Sequence, residues 1–206
     1  MKFPAKKYQN IQEFTFDYLL EKNECLKKIN YENLKKAAET LCDYYINEKN
    51  VFVCGNGGSA SITNHLVQDH LKTVQTNTSL SPKVFSLSNN IEIITAISND
   101  ISFDEIFSYQ LNTLCKEGDL LLVISSSGNS KNIVKAIQTG LNKKLKILSF
   151  TGFDGGFAKK NADINLHVES LNYGIVEDIH QSLIHILAQY IRHQFMDKEL
   201  IKNNYF

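Results

Sequence analysis

Two turns rich in glycine and serine carry the residues of this chain that are best suited to chemistry. One spans residues 55–61 after the apolar run 51–54, and the other spans 125–130 after the apolar run 120–124. Glycines let backbone N–H groups approach a ligand closely, and a helix that begins at such a turn favours a bound anion. The pair of turns therefore predicts a phosphate pocket with polar groups beside it.

The hydroxyl groups of the two turns differ in how strongly they support this interpretation. Ser59 follows two glycines, and it could donate to a phosphate oxygen or cap the helix that begins there. The second turn has four hydroxyls around Gly128, more than a helix cap requires, and they favour phosphate binding. They belong to Ser125, Ser126, Ser127 and Ser130. Neither turn has the Walker pattern or the complete dinucleotide-binding fingerprint.

Histidine and carboxylate side chains recur at helical spacing in two other segments. His65 and Asp69 are four residues apart and share a helix face. Glu177 and His180 are three residues apart, and His185 lies eight residues after Glu177 on roughly the same face. Such groups on two helices could hold a divalent metal or act as an acid and a base, although each histidine taken singly is more simply a hydrogen-bonded surface residue. No site role is assigned to His70, His167 or His193.

The elements that must position these residues are strands and helices in alternation, preceded by two amphipathic helices at 11–28 and 31–47. The predicted strands are 50–54, 83–87, 120–124, 146–150 and 163–168. The predicted later helices are 59–73, 91–98, 103–115, 131–141 and 173–195. This order predicts an α/β fold, a three-layer sandwich with a five-stranded parallel sheet. Ligands of such sheets bind at the carboxyl ends of the strands, where both turns lie.

The chain is predicted to form one domain over residues 1–206. Residues 1–48 form a helical extension, and residues 49–206 form the α/β core that ends in a long helix. That last helix is apolar on one side, and the two leading helices lie outside the α/β unit. We therefore expect part of this surface, including the N-terminal helices, to pack against other subunits. The alternative is that it packs entirely within one subunit.

Composition excludes several classes of function. The 206 residues include 22 basic and 22 acidic side chains, so no overall basic field favours nucleic acid. No run reaches the ~20 apolar residues that span a bilayer, and no apolar region of a signal peptide follows the first residues. We expect a cytoplasmic protein whose partners include neither nucleic acid nor membrane. The cysteines, predicted to be reduced thiols, are Cys25, Cys42, Cys54 and Cys115.

These motifs resemble those of the SIS-domain (sugar isomerase) proteins, and within that group the phosphoheptose isomerases, which act on sedoheptulose 7-phosphate. The resemblance extends from the leading helices to the last one, and the matching segments follow one another in the family's order. They are Gly55-Asn56-Gly57-Gly58-Ser59-Ala60, His65, and residues 94–100, 124–130, 151–156 and 180–186.

The resemblance implies a flavodoxin-like fold, a homotetramer with active sites between subunits, and one zinc ion per subunit near the sugar. It implies that Asp69 and His185 are the catalytic acid/base pair. The implied metal ligands are His65, Asp69, Glu177 and His185. The implied phosphate and sugar contacts, besides the serines of the second turn, are Asn56, Gly57, Ser59, Asn99, Asp100 and Glu177.

Three positions depart from the family pattern. The family glutamate is Asp69 here, one methylene shorter, which retracts the carboxylate by roughly 1.5 Å. The family glutamine is Glu177, which adds a negative charge, and a family arginine is replaced by Thr73 beside Lys72. These changes keep the type of pocket and leave a different phosphosugar open as the substrate.

The implied activity is an aldose–ketose isomerisation, most simply of sedoheptulose 7-phosphate to D-glycero-D-manno-heptose 7-phosphate through an enediol(ate), with help from a divalent metal. Its product would serve heptose synthesis for lipopolysaccharide or capsule. One alternative is a non-catalytic SIS protein that binds a partner such as the replication initiator. Such relatives lack a carboxylate at the Asp69 position and a histidine at the His185 position, and this chain has both. A phosphosugar-sensing regulatory domain ranks last, because no DNA-binding domain accompanies it.

Overall fold

The computed structural model describes residues 3–204 and contains a single parallel sheet of five strands. The strands are β1 (Asn50–Gly55), β2 (Lys83–Ser86), β3 (Leu120–Ser125), β4 (Lys146–Thr151) and β5 (Ile164–His167). Their order is β2-β1-β3-β4-β5, and each adjacent pair is parallel. The connections leave β1 and β3 in opposite directions, so a topological switch point lies between these two strands. The predicted fold class is confirmed.

Helices cover the sheet at nearly the predicted positions. They are α1 (Ile11–Lys27), α2 (Tyr31–Ile46), α3 (Gly58–Gln68), α4 (Ile91–Asp100), α5 (Ser108–Leu114), α6 (Lys131–Asn142), α7 (Gly156–Asn161), α8 (Tyr173–Phe195) and α9 (Lys198–Ile201). The sequence did not predict α7 and α9, because helices of six and four residues are too short to show a period.

Two predicted helices change helix type along their length in the structure. The helix predicted over 59–73 changes at its middle, where α3 gives way to a π-helix, Asp69–Val74. The helix predicted over 103–115 begins as a short 3₁₀ turn, Phe103–Glu105, before α5. Apolar spacing alone does not distinguish these helix types, because they differ by less than one residue per turn or extend over only a few residues.

The core lies on both faces of the sheet because side chains of a strand alternate between its faces. In β1, Val51 and Val53 join the cluster formed with α2, α3 and α8, whereas Phe52 and Cys54 join the cluster formed with α4, α5 and α6. All six residues of β3 are buried, as expected for a central strand covered on both faces. These two clusters make the three layers and hold the carboxyl ends of β1 and β3 side by side.

The N-terminal helices pack on this core but leave apolar side chains exposed. In α1, the Tyr18 hydroxyl donates to Asp178 of α8 at 3.0 Å, and Lys22 pairs with the same carboxylate at 3.1 Å. The exposed large apolar residues of α1 are Ile11, Phe16, Leu19 and Leu20. Those of α8 include Ile186 and Tyr190. Burial of this surface between subunits stays a prediction.

The four cysteines are free thiols, as predicted, and three of them are buried: Cys25, Cys54 and Cys115. Burial raises the pKa of the Cys54 thiol, so this residue near the first turn behaves as a small apolar side chain. Within residues 3–204, no helix is both long enough and apolar enough to cross a membrane.

Candidate active site

In the first turn, the backbone packs closely against the end of the neighbouring strand β3. Gly55 ends β1, and a Cβ there would lie 2.8 Å from the Ser59 carbonyl and 2.9 Å from the Ile124 carbonyl, so only glycine fits. Gly57 has a positive φ of 54° and is the N-cap of α3, where no side chain caps the helix. Ser59 lies within α3, after the N-cap position, and its side chain is buried. The alternative in which Ser59 caps the helix is therefore wrong. Among residues 3–204, no side chain accepts from the first amides of α3.

The second turn is organised by its own hydroxyls. The Ser125 hydroxyl accepts from the backbone N–H of Gly128 at 3.1 Å, and the Ser127 hydroxyl accepts from that of Asn129 at 3.3 Å. Ser126 Oγ is buried and has no hydrogen-bond partner in the described part of the chain. Ser130 is the N-cap residue of α6, and its side chain makes no capping bond. In the first turn of α6, the Ile133 N–H donates to Asn132 Oδ1 at 2.9 Å. The unpartnered Ser126 hydroxyl beside this helix beginning is a feature that an anion would satisfy.

An asparagine pair joins the two turns. The Asn56 amide donates to Asn132 Oδ1 at 2.8 Å, and the Asn132 amide donates back to Asn56 Oδ1 at 2.9 Å. The sequence predicts Asn56 at the pocket but not Asn132, which is buried at the start of α6. Its one signal was an amide side chain two residues after Ser130. The pair holds the ends of β1 and β3 in a fixed relation.

The predicted histidine and aspartate residues meet between α3 and α8. The two imidazoles approach closely, with 3.1 Å between His65 Nε2 and His185 Nε2. The Asp69 carboxylate faces both, with Oδ1 at 3.6 Å from His65 Nε2 and Oδ2 at 3.6 Å from His185 Nε2. Gln181, which no sequence pattern singled out, lies one turn before His185, and its amide nitrogen is 2.8 Å from His185 Nε2. We call His65, Asp69 and His185 the His/Asp cluster.

The electrostatics of the His/Asp cluster centre on Asp69. Burial raises the pKa of its carboxyl group, and the two histidines oppose that shift. The carboxylate is only 11% exposed, and Oδ2 is buried without a hydrogen-bond partner among the described residues. A buried carboxylate with a raised pKa is suited to accept and return a proton at neutral pH. A cavity of about 210 Å³ opens beside it, with Thr73 and His185 in its lining.

The same cluster has the chemistry of a metal site. One ligand atom from each of His65, Asp69 and His185 lies within 4.8 Å of the others. Two imidazoles and one carboxylate are a donor set found in catalytic zinc sites, which keep another position open for water or substrate. The unpartnered Asp69 Oδ2 fits this role, because a cation would satisfy it.

The structure places the other predicted residues away from this cluster. The Glu177 carboxylate lies against Gly58 at the beginning of α3, where a Cβ on the glycine would collide with it, so its assignment as a metal ligand stays a prediction. Burial, with a smaller effect of Asp178, raises the pKa of this carboxyl group. Asn99 and Asp100 are exposed at the end of α4, and the Asn99 amide donates to Asp100 at 2.8 Å. Their contact with a sugar also stays a prediction.

Comparisons with known proteins identify the family of this chain. Residues 16–152 match the family model of the SIS domain, so the chain belongs to the SIS domain family. A phosphoheptose isomerase of Shewanella denitrificans is 37% identical over 163 residues, which are 78% of this chain and 83% of that protein. Within the SIS proteins, the chain therefore belongs with the phosphoheptose isomerases, which are aldose–ketose isomerases.

Solved structures show the same relationship in three dimensions. The phosphoheptose isomerase of Neisseria gonorrhoeae superposes with a TM-score of 0.80 at 28% identity, over 89% of this chain and 97% of that one. The phosphoheptose isomerase of Francisella tularensis gives a TM-score of 0.79 at 29% identity, over 89% and 96% of the two chains. The similarity thus extends over most of the chain and supports the α/β fold described above.

Proposed function

We propose that the protein converts sedoheptulose 7-phosphate to D-glycero-D-manno-heptose 7-phosphate. The observation that carries this proposal is the His/Asp cluster, because it combines an acid/base pair with a metal donor set. α3 and α8 run side by side from the Gly58–Glu177 contact to the cluster, about 12 Å along a helix for eight residues. A sugar phosphate would span this distance, with its phosphate near the turns and its carbonyl end near the cluster.

Asp69 and His185 act as the acid/base pair. One removes the proton that C1 of the ketose carries, and the other transfers a proton from O1 to O2, so an enediol(ate) forms. Return of the carbon-bound proton to C2 leaves the aldose, and no atom is gained or lost. The raised pKa of Asp69 favours this exchange, since a base works best when its pKa approaches the pH of operation.

His65, Asp69 and His185 would hold a Zn²⁺ ion, with Glu177 as a further candidate ligand. When bound, the ion would supply Lewis-acid stabilisation of the oxygen atoms that become negative in the reaction. Asp69 is buried with an unpartnered oxygen, and the two imidazoles face it from α3 and α8. These features support the assignment of a metal to this cluster.

The phosphate group is assigned to the second turn. The Glu177 carboxylate lies at the beginning of α3 and would repel an anion there. The beginning of α6 has no acidic residue in its first turn, and the Ser126 hydroxyl lies unpartnered nearby. Asn56, Gly57 and Ser59 then face the sugar rather than its phosphate.

The functional unit is inferred to be a cytoplasmic homotetramer. The exposed apolar residues of α1 and α8 support association, because monomers rarely leave large apolar patches exposed. The four free thiols fit a reducing compartment.

The experiment that tests the activity measures aldose formation from sedoheptulose 7-phosphate with and without Zn²⁺, beside pentose, hexose and hexosamine phosphates. The wild-type protein should isomerise the heptose, and Asp69→Asn and His185→Gln should each lose at least about 100-fold in turnover. Asp43→Asn, an exposed carboxylate on α2, serves as the matched control. Preference for another phosphosugar would follow from the changes at Asp69 and Glu177. Full turnover in both cluster variants would refute the mechanism, and no turnover of any sugar by the folded protein would favour the partner-binding alternative.

A further inference from the structure

The segment that begins at Asp69 is a π-helix, a rare backbone conformation. It continues α3 directly, packs against α8, and ends at Val74. π-helices are rare because their wider turn is poorly packed, and they persist where surrounding contacts hold them. Asp69 is therefore presented to His65 and His185 by a turn that needs external support.

One buried polar contact supplies such support. The Tyr45 hydroxyl of α2 lies 2.7 Å from His70 Nδ1, and both residues are almost fully buried. His70 is the neighbour of Asp69, and together with Val74 it forms the fully buried side of the π-helix. Leu71 and Lys72 on the other side are exposed, so the Tyr45 contact is on the side that faces the core.

This contact is a poor choice for stability alone. The second ring nitrogen of His70, Nε2, is buried without a partner among residues 3–204, and an unsatisfied buried polar atom is unfavourable. Two apolar side chains of the same shape would avoid that cost in a region that is otherwise apolar. A hydrogen bond differs from apolar packing in one respect that matters here, because it has a preferred direction and sets how the π-helix is rotated.

We propose that Tyr45 and His70 are positioning residues that hold the π-helical turn in the orientation that aims Asp69 at His65 and His185. The inference rests on the proposed function of the His/Asp cluster. It acts through the backbone of one adjacent residue, so neither side chain needs to touch metal or substrate. Loss of the Tyr45 hydroxyl should leave the fold intact and let Asp69 drift from its ligand position.

The test measures Co²⁺ binding to the metal-free full-length protein by its absorption spectrum. Tyr45→Phe should weaken Co²⁺ affinity by about tenfold, the lower end of what supporting residues of metal ligands contribute. Tyr44→Phe is the matched control, because it removes a buried hydroxyl that donates to the Asp119 carbonyl from the same helix. It should change the affinity less than twofold. In an Asp69→Asn background, Tyr45→Phe should have no further effect.

Equal affinities of wild type and Tyr45→Phe would overturn the proposal, and so would an undiminished Tyr45→Phe effect in the Asp69→Asn background. Amide hydrogen exchange of the metal-free protein gives a second readout. Tyr45→Phe should speed exchange within residues 69–74 and leave β3 unchanged. If the wild type binds no Co²⁺ but this local change appears, the metal assignment fails and the positioning role stands. Unchanged exchange over 69–74 would refute the positioning role itself.

Discussion

Replacing Asp69 by asparagine should stabilise the metal-free protein while it abolishes turnover. The wild-type carboxylate is buried, and its Oδ2 has no hydrogen-bond partner in the described region. An unsatisfied buried polar group costs about 1–3 kcal/mol, and more when it is charged. The histidines at 3.6 Å offset part of this cost. We therefore expect the substitution by a neutral amide to raise the free energy of unfolding by about 1 kcal/mol.

The sign of the pH dependence follows from the raised pKa of Asp69. The folded state binds this proton more tightly than the unfolded state does. The stability that proton binding contributes is therefore fully present below the pKa of Asp69 in the unfolded state. It is lost as the pH rises through the higher pKa of the folded state. Asparagine does not titrate, and the advantage of Asp69→Asn should therefore be larger at pH 8 than at pH 5.

Thermal unfolding in the presence of a chelator measures this effect. For a chain of this size, 1 kcal/mol corresponds to roughly 2–4 °C in Tm. Added Zn²⁺ should raise the Tm of the wild type more than that of Asp69→Asn, because a carboxylate is a stronger zinc ligand than the amide that replaces it. A lower Tm for metal-free Asp69→Asn at pH 8, or a gain that shrinks with rising pH, would refute the electrostatic reasoning.

Five further substitutions, four of them in two matched pairs, test the other assignments. Ser126→Ala should raise KM for the sugar phosphate with little change in Tm, whereas Ser125→Ala should lower Tm by the loss of its bond to Gly128, about 1 kcal/mol in unfolding free energy. Gly128→Ala should unfold in less denaturant than Gly118→Ala: both have positive φ, but only at Gly128 would a Cβ collide with backbone, that of Gly155. Glu177→Gln should raise Tm more at pH 8 than at pH 5, since burial raises the pKa of this carboxyl group in the folded state. Equal effects within either matched pair, or a pH-independent Glu177→Gln gain, would contradict these assignments.

Local patterns were sufficient to predict the sheet. The apolar run that became β3 is buried along its whole length, and the alternating residues of β1 divide between two cores. The two turns follow adjacent strands, β1 and β3, and they lie at the same edge of the sheet because parallel strands have their carboxyl ends there. The four-residue spacing of His65 and Asp69 likewise predicted a shared face, which the structure confirms.

The sequence by itself thus determined the order of elements, the two turns and the chemical types at the His/Asp cluster, since these depend on short-range periodicity and on residue identity. Only the tertiary structure decided which distant side chains meet. It placed Glu177 against Gly58, paired Asn56 with Asn132, and brought Tyr45 into contact with His70 of the π-helix. Each of these contacts joins different elements, and its geometry depends on how whole helices pack across the sheet, which no local pattern encodes.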